Sequence, residues 1–467
     1  MAPLRRTLSV WQAIGLSVAL MAPSMAANIN PQFIVPFVGR AVPLAFLLAA
    51  VAVLLVAYGF VRLCQYFNHA GSVYAFVGAT LGPRTGVVAG VGLLGTYTFY
   101  AVGTAAAAGR FGTAFLQSIG VWPHPPSWAP FLLAVVALLI GLQLTVVPAK
   151  RGMGLLLLVE GVTVALILLV TVIVLVRLVP SKFDLDVFTV PAGTGSSAVF
   201  LGVVFGFLSF AGFEAAATLG EETAHPRRDI PRAILGTAIF GGVFFVVVTA
   251  VEMMGFGDPN AFANSQALVG ELGTSYVGSW VGDTITLGAA VSAFGCMLAC
   301  VAGGSRLLFA LARDSFGARG LGAASAAGTP ARAAAVVSTI VFVCLVGCWV
   351  LFGATATDLV GWFGAMGTLI LLVAYLLTTV GAIRLLFVRR VMDVPRWQVV
   401  IPLAAIVVLG YTLYSNVIPY PTEGAAQWFP IVAGGWLLLA LVAVWAAPAT
   451  ARRVGERLAD VRATVPD

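Results

Sequence analysis

Residues 205–214 read Phe205-Gly206-Phe207-Leu208-Ser209-Phe210-Ala211-Gly212-Phe213-Glu214, and no charge interrupts the chain from Asp186 to that glutamate. A transmembrane helix needs about 20 mostly apolar residues, and this run supplies them. Its last turn is not that of a plain apolar helix. Gly212 weakens the helix where Glu214 brings an ionisable group into its inner half, and an ionised side chain at a helix centre costs about 2.5–3.5 kcal/mol on insertion scales. Gly202 and Gly206, four apart, also make a small-residue face on which a neighbouring helix can pack.

The whole chain carries the same signature. Of 467 residues, 60% are hydrophobic and 9% charged, with a mean hydropathy of +1.03. A soluble domain carries about 25% charged residues. The composition excludes a soluble enzyme, a disordered chain and a nucleic-acid-binding protein, so the net charge of +7 needs a reading other than a nucleic-acid partner.

Apolar stretches between charges predict an all-α polytopic membrane protein with twelve spans. Their cores fall at 11–29, 42–62, 86–112, 129–147, 153–176, 196–219, 233–256, 282–305, 332–352, 358–383, 398–418 and 428–447. With both termini cytoplasmic, all but four of the 25 Lys and Arg residues lie inside; Arg40, Arg110, Arg177 and Lys182 lie outside. Cytoplasmic connections carry such an excess, and adding or removing one span scrambles it. The net charge is then a topology signal. Arg5-Arg6, the apolar run after them and Ser24-Met25-Ala26 have the outline of a cleavable signal peptide, but the reading adopted keeps this segment as span one. Five cysteines include two i,i+4 pairs, Cys296/Cys300 and Cys344/Cys348. Each pair shares a helix face, and they read as packing residues, with no metal site and no cofactor.

Polar groups and broken backbone inside lipid are costly, so they single out function. Three carboxylates interrupt spans. Glu252 lies near the outer end of span seven and reads as interfacial. Glu160 in span five and Glu214 in span six read as buried carboxylates that carry a proton or bond broken backbone. Span one reads Leu20-Met21-Ala22-Pro23-Ser24-Met25-Ala26, where Pro23 removes a donor and clashes with the preceding turn. Spans one and six open two five-span halves, and interrupted helices at matching places in two halves point to a transporter site. Half-helix N-termini there offer free N–H groups to an anionic group such as a substrate carboxylate.

Three stretches resemble a known family. The first is the span-six run above followed by Gly220-Glu221-Glu222-Thr223-Ala224-His225-Pro226-Arg227-Arg228-Asp229-Ile230-Pro231-Arg232-Ala233-Ile234. The second is Phe67-Asn68-His69-Ala70-Gly71-Ser72-Val73-Tyr74-Ala75-Phe76 with Leu81-Gly82, and the third is Arg306-Leu307-Leu308-Phe309-Ala310-Leu311-Ala312-Arg313-Asp314. In order and spacing they are similar to the signatures of the amino acid–polyamine–organocation (APC) superfamily permeases, of the amino acid permease type.

The resemblance implies a LeuT-type fold in one transmembrane domain, 1–467. An inverted repeat would pair residues 11–177 with 196–390, with discontinuous helices 1 and 6, and residues 397–447 would form two appended helices. It implies secondary active transport of an amino acid or related amine by alternating access, with protons as the coupling partner. The substrate would sit among Met21, Ala22, Pro23, Ser24 and Met25 of the first break and Phe207, Leu208, Ser209, Phe210, Ala211 and Gly212 of the second. Glu214 matches the family's acidic residue below the break. Two departures stand out. Ala-Pro-Ser replaces a glycine-rich break in span one, and span five has Glu160 but no lysine near Thr163, so coupling falls to Glu160 or Glu214, or the protein is an exchanger.

Candidate gates are Phe210, Phe207, Tyr97, Tyr100, Ser292 and Trp362-Phe363-Gly364. Glu221, Glu222, Arg227, Arg232 and Arg313 read as a cytoplasmic ion-pair layer. The break residues are small and apolar, which favours a neutral amino acid over a polyamine. The alternatives are an exchanger, a polyamine permease and a non-transporting nutrient receptor; the three scattered histidines give an enzyme no catalytic cluster. Arginine outnumbers lysine 23 to 2, a bias of GC-rich bacterial genomes, and this places the chain in a bacterial inner (plasma) membrane.

Overall fold

The computed structural model describes residues 9–67, 72–146, 152–178, 183–219, 223–316, 319–325, 328–422 and 424–446. Among them are twelve helices long and apolar enough to cross a membrane. In chain order they are Val10–Phe33, Val42–Tyr66, Pro83–Ser118, Ala129–Val146, Gly154–Leu178, Ser196–Leu219, Pro226–Phe256, Ser279–Arg313, Ala331–Phe352, Ala356–Val388, Arg396–Ser415 and Gly424–Ala446, here spans 1 to 12. Each expected core falls on one of them. No strand of a sheet forms among the described residues.

The spans differ in how much protein surrounds them. In span 3, 78% of the most apolar window is buried, against 17% in span 12. Span 3 is a central post, packed on spans 8 and 10, while span 2 packs on span 7. Without water to squeeze out, membrane helices associate through close van der Waals contact between small residues, and the glycines show where. A Cβ on Gly206 would stand 2.7 Å from the Ala49 Cβ, and one on Gly202 would stand 2.8 Å from Ile34. The small-residue face of span 6 therefore packs on span 2 and on the C-terminal end of span 1.

Gly109 is tighter still: a Cβ there would lie 1.9 Å from the Pro130 carbonyl oxygen of span 4. Backbone cannot swing aside as a side chain can. Gly109→Ala is expected to destabilise by about 3 kcal/mol or more, the upper part of the overpacking range. A fall in the apparent melting temperature of the purified protein in detergent checks this.

Two expectations change, for Arg110 and Glu252. Span 3 continues to Ser118, and Arg110, counted above on the outer side, is not out in solvent but 8% exposed within the helix. The connection at 257–282 folds into two short helices, Pro259–Asn264 and Leu268–Tyr276. Asp258 starts the first of them by accepting the Asn260 N–H at 3.0 Å, as an N-cap does. Glu252 does not face outward. It is 1% exposed and neither carboxyl oxygen has a hydrogen-bond partner. Its distance from the helix end was legible in the sequence, but the face it occupies is set by the packing of span 7 on its neighbours.

Candidate substrate site

Span 1 is two helices. Val10–Met21 ends at Ala22, whose φ of +47° and ψ of 58° are left-handed, and Pro23–Ile29 follows. The cause is local. Proline disfavours the right-handed helical region for the residue before it, and Ala22 takes the left-handed one at a cost of about 1–2 kcal/mol. Span 6 breaks by another route. Its helix Ser196–Phe210 gives way to a turn over 211–214 and a 3₁₀ helix Ala215–Leu219. Gly212 holds a φ of +106° in that turn, which a side chain resists.

The breaks lie against each other. A Cβ on Gly212 would stand 2.7 Å from the Leu20 Cβ. On one side the Ser17 hydroxyl donates to the Phe213 carbonyl at 3.2 Å and accepts the Ala216 N–H at 3.0 Å. On the other, the Asn30 amide donates to Ser209 Oγ at 2.8 Å.

The second helix of span 1 should begin with free N–H groups, and the sequence reserved them for a substrate carboxylate. In the structure they are taken. Ser24 N–H donates to Glu160 Oε1 at 2.9 Å and Met25 N–H donates to Ser292 Oγ at 3.3 Å. Pro23 has no N–H to give. Glu160 is 5% exposed. It therefore joins span 5 to the break in span 1, with Ser292 of span 8 completing the junction. Span 8 also reaches the break through the Cys296 thiol, 3.1 Å from the Leu20 carbonyl, so one cysteine read as packing also closes an orphan carbonyl.

Glu214 lies on the other side of the break. With Leu20, Leu93, Thr96, Tyr97, Tyr100, Ala211, Gly212, Cys300 and Leu371 it lines a cavity of about 20 Å³. That holds about one water and no amino acid, so spans 1 and 6 must move apart to admit one. Tyr100 is fixed by a 2.8 Å hydrogen bond to Thr368 of span 10. Around the two breaks, Ser24 Oγ, Asn30 Oδ1, Glu214 Oε2 and the Tyr375 hydroxyl are buried without a hydrogen bond of full geometry, although the Tyr375 hydroxyl faces the Glu214 carboxyl and the Ser24 hydroxyl faces Glu160. Buried polar atoms are satisfied in the great majority of cases.

The other candidates are dispersed. Met21, Ala22, Pro23, Met25, Phe207, Ser209 and Ala211 are buried about the breaks. Phe210 turns away from the cavity and packs its ring 5.4 Å from that of Phe245 on span 7. Trp362 is half-buried, Phe363 stacks edge-on at 5.7 Å with Phe99, and Gly364 lies under Leu208. Arg227 and Arg232 are exposed at the start of span 7, and the Arg313 guanidinium lies 5.5 Å from the Phe309 ring. Glu221 and Glu222, together with His69 and its neighbours 68–71, lie outside the described residues.

Sequence reasoning passed over the polar residues just beyond the break. Asn28 Oδ1 accepts the Gly270 N–H at 3.1 Å. The Gln32 amide donates to the Phe262 and Ser265 carbonyls at 3.2 and 2.6 Å, and Arg110 donates to the same Ser265 carbonyl at 2.8 Å. These bonds clamp the helices at 259–264 and 268–276 over the C-terminal end of span 1. The signal was present: Asn28-Ile29-Asn30-Pro31-Gln32 puts three amides into an apolar span, and polar residues in membrane spans mark function.

Comparison with known proteins follows the same lines. The amino acid permease family profile matches residues 33–450. The branched-chain amino acid permease BcaP of Lactococcus lactis subsp. cremoris is 27% identical over 68% of this chain and 71% of its own. The low-affinity putrescine importer PlaP of Escherichia coli K12 is 28% identical over 67% of this chain and 68% of its own. The BcaP of Bacillus subtilis is 25% identical over 59% of this chain and 60% of its own.

Proposed function

Because this chain belongs to the amino acid permease family, a family of membrane transporters, we propose that it imports a neutral, apolar amino acid across the plasma membrane by alternating access, driven by protons. Its inner face is the arginine-rich one, with both termini cytoplasmic. Residues 11–177 and 196–390 are the two inverted halves, and 397–447 the appended pair.

The observation that carries this reading is the meeting of two broken helices around buried polar groups that make no hydrogen bond of full geometry. Ser24 Oγ and Asn30 Oδ1 offer hydrogen bonds on the span 1 side, and Glu214 Oε2 on the span 6 side. Leu20, Leu93, Ala211 and Leu371 give the cavity beside Glu214 an apolar wall. Binding sites of this kind pair an apolar wall with a few polar groups that fix orientation. Tyr97, Tyr100 and the Tyr375 hydroxyl complete the inner wall, and movement of Phe207 and Trp362 opens it.

Glu160 is the coupling carboxylate in this proposal. It holds the N–H of Ser24 at the point where span 1 must hinge, with spans 5 and 8 on either side. A proton arriving there weakens the charge-assisted bond and frees span 1. Glu214 then serves the substrate and not the proton. One feature favours a second reading. A carboxylate beside Tyr97 and Tyr100 also suits an ammonium group, and PlaP is named a putrescine importer, so a diamine is the runner-up. An exchanger is the alternative to proton coupling.

Uptake into proteoliposomes separates these. Radiolabelled leucine, lysine and putrescine are offered with and without an inward proton gradient, and with unlabelled substrate preloaded. The expected result is leucine uptake that rises at least about tenfold with the gradient. Putrescine uptake without leucine uptake gives the runner-up, and uptake only into preloaded vesicles gives an exchanger.

A further inference from the structure

Arg110 is a cation that the substrate site does not use. It lies on span 3 and is 8% exposed. One terminal nitrogen, NH2, donates to the Ser265 carbonyl at 2.8 Å and reaches Gln32 Oε1 at only 3.5 Å. The other terminal nitrogen is buried with no hydrogen-bond partner, and so is the Ser265 hydroxyl. The guanidinium carbon lies 5.6 Å from the Phe111 ring centroid. No carboxylate among the described residues lies within 4 Å of this guanidinium. The acidic group nearest in its electrostatics, Glu271, is exposed and already accepts the Gln266 N–H at 2.7 Å.

An arginine buried in a membrane protein without a carboxylate is expensive, and such residues face the interior and mark pathways. Its planar fork matches a carboxylate with two parallel hydrogen bonds. Here one side of the fork is held by backbone and a long amide contact, and the other is vacant of protein partners. Both present partners belong to the moving parts of the outer closure: Gln32 to the outer end of span 1, and Ser265 to the link between the two short outer helices. Opening that closure would take the Ser265 carbonyl and Gln32 away from the guanidinium and free the whole fork.

We propose that the Arg110 guanidinium is an outer vestibule site for the α-carboxylate of the incoming amino acid. The proposal rests on the amino-acid reading above and deepens it. An incoming α-carboxylate replaces the Ser265 carbonyl on the guanidinium and so favours the open closure. A diamine has no group for this site and meets a like charge, which disfavours it. When the closure returns, Ser265 displaces the carboxylate and the substrate passes inward. Arg110 therefore selects among amines by the presence of a carboxylate, while the breaks select by side chain.

The test uses the full-length protein in proteoliposomes and reads leucine uptake, with leucinamide and putrescine as competitors that lack the carboxylate. Arg110→Gln is expected to raise the leucine KM about tenfold or more with a maximal rate within about twofold of the wild type. The preference for leucine over leucinamide should collapse with it. Gln32→Glu keeps the cation and gives it an internal carboxylate. It is expected to raise the leucine KM as well, and it reads the proposal even if Arg110→Gln fails to fold. An unchanged leucine KM in either folded variant overturns the proposal. So does a loss of maximal rate at constant KM, which is what a latch without a ligand would give. Wild-type protein that takes up putrescine but no α-amino acid overturns the amino-acid reading and this site together, whereas wild-type leucine uptake with an Arg110-independent KM overturns this site alone.

Discussion

Replacing Glu160 with glutamine is expected to remove gradient-driven accumulation, by about tenfold or more, while leaving counterflow exchange near the wild-type rate. A factor of ten corresponds to about 1.4 kcal/mol. The amide oxygen of glutamine still accepts the Ser24 N–H that Glu160 now holds at 2.9 Å. The junction of spans 1, 5 and 8 therefore stays closed and the protein stays folded. What glutamine cannot do is change its charge during the cycle. Glu160→Ala is the contrast: it removes the acceptor and leaves a buried N–H unsatisfied, at about 1–3 kcal/mol, so exchange falls too. Uptake and counterflow on the two variants separate a coupling role from a structural one. Equal gradient stimulation in the wild type and Glu160→Gln would remove Glu160 from coupling.

The second large effect belongs to Gly212. Alanine there must hold a φ of +106° and bring its Cβ to 2.7 Å from the Leu20 Cβ. Backbone strain of this kind costs about 1–3 kcal/mol, and overpacking adds about 1–3 kcal/mol. Against a total stability of about 5–15 kcal/mol this is a large fraction. Gly212→Ala is expected to lower the melting temperature and to cut uptake by about 100-fold. The control is Gly161→Ala on span 5, beside Glu160, where a Cβ meets nothing within 4 Å; it is expected to leave both unchanged. Wild-type uptake by Gly212→Ala would mean that the turn in span 6 is not needed for the cycle.

These two positions show what a sequence can and cannot disclose in a membrane. The twelve spans were legible because every charge in lipid is costly, so the chain marks its own boundaries with arginine. The breaks were legible because Pro23 and Gly212 are covalent constraints, readable without a partner. Partners were not legible. That Glu160 would hold the N–H of Ser24, 136 residues away, depends on the rotation of spans 1, 5 and 8 about their axes. The same ignorance of rotation left the face of Glu252 unread, and packing buries it. Arg110 fell within the expected core of span 3, but its burial was not legible because the helices that cover it come from elsewhere in the chain. Asn28, Asn30 and Gln32 were visible as polar residues but had no assigned work; the segment 259–276 comes to rest on Asn28 and Gln32, and Ser209 of span 6 meets Asn30. Phe210, chosen as a gate for its type and position, packs instead against Phe245, because a bulky apolar residue in a helix serves packing wherever a neighbouring span is near.

The central claim is that Glu160 couples a proton to movement of the broken helices around a neutral amino acid. Its most direct measurement is proton flux during transport. Purified protein is reconstituted into vesicles loaded with a pH-sensitive dye, leucine is added outside with no imposed gradient, and the wild type is compared with Glu160→Gln. The account predicts that leucine addition acidifies the interior of wild-type vesicles and leaves the pH of Glu160→Gln vesicles constant. Leucine uptake by the wild type with no change in internal pH would contradict it.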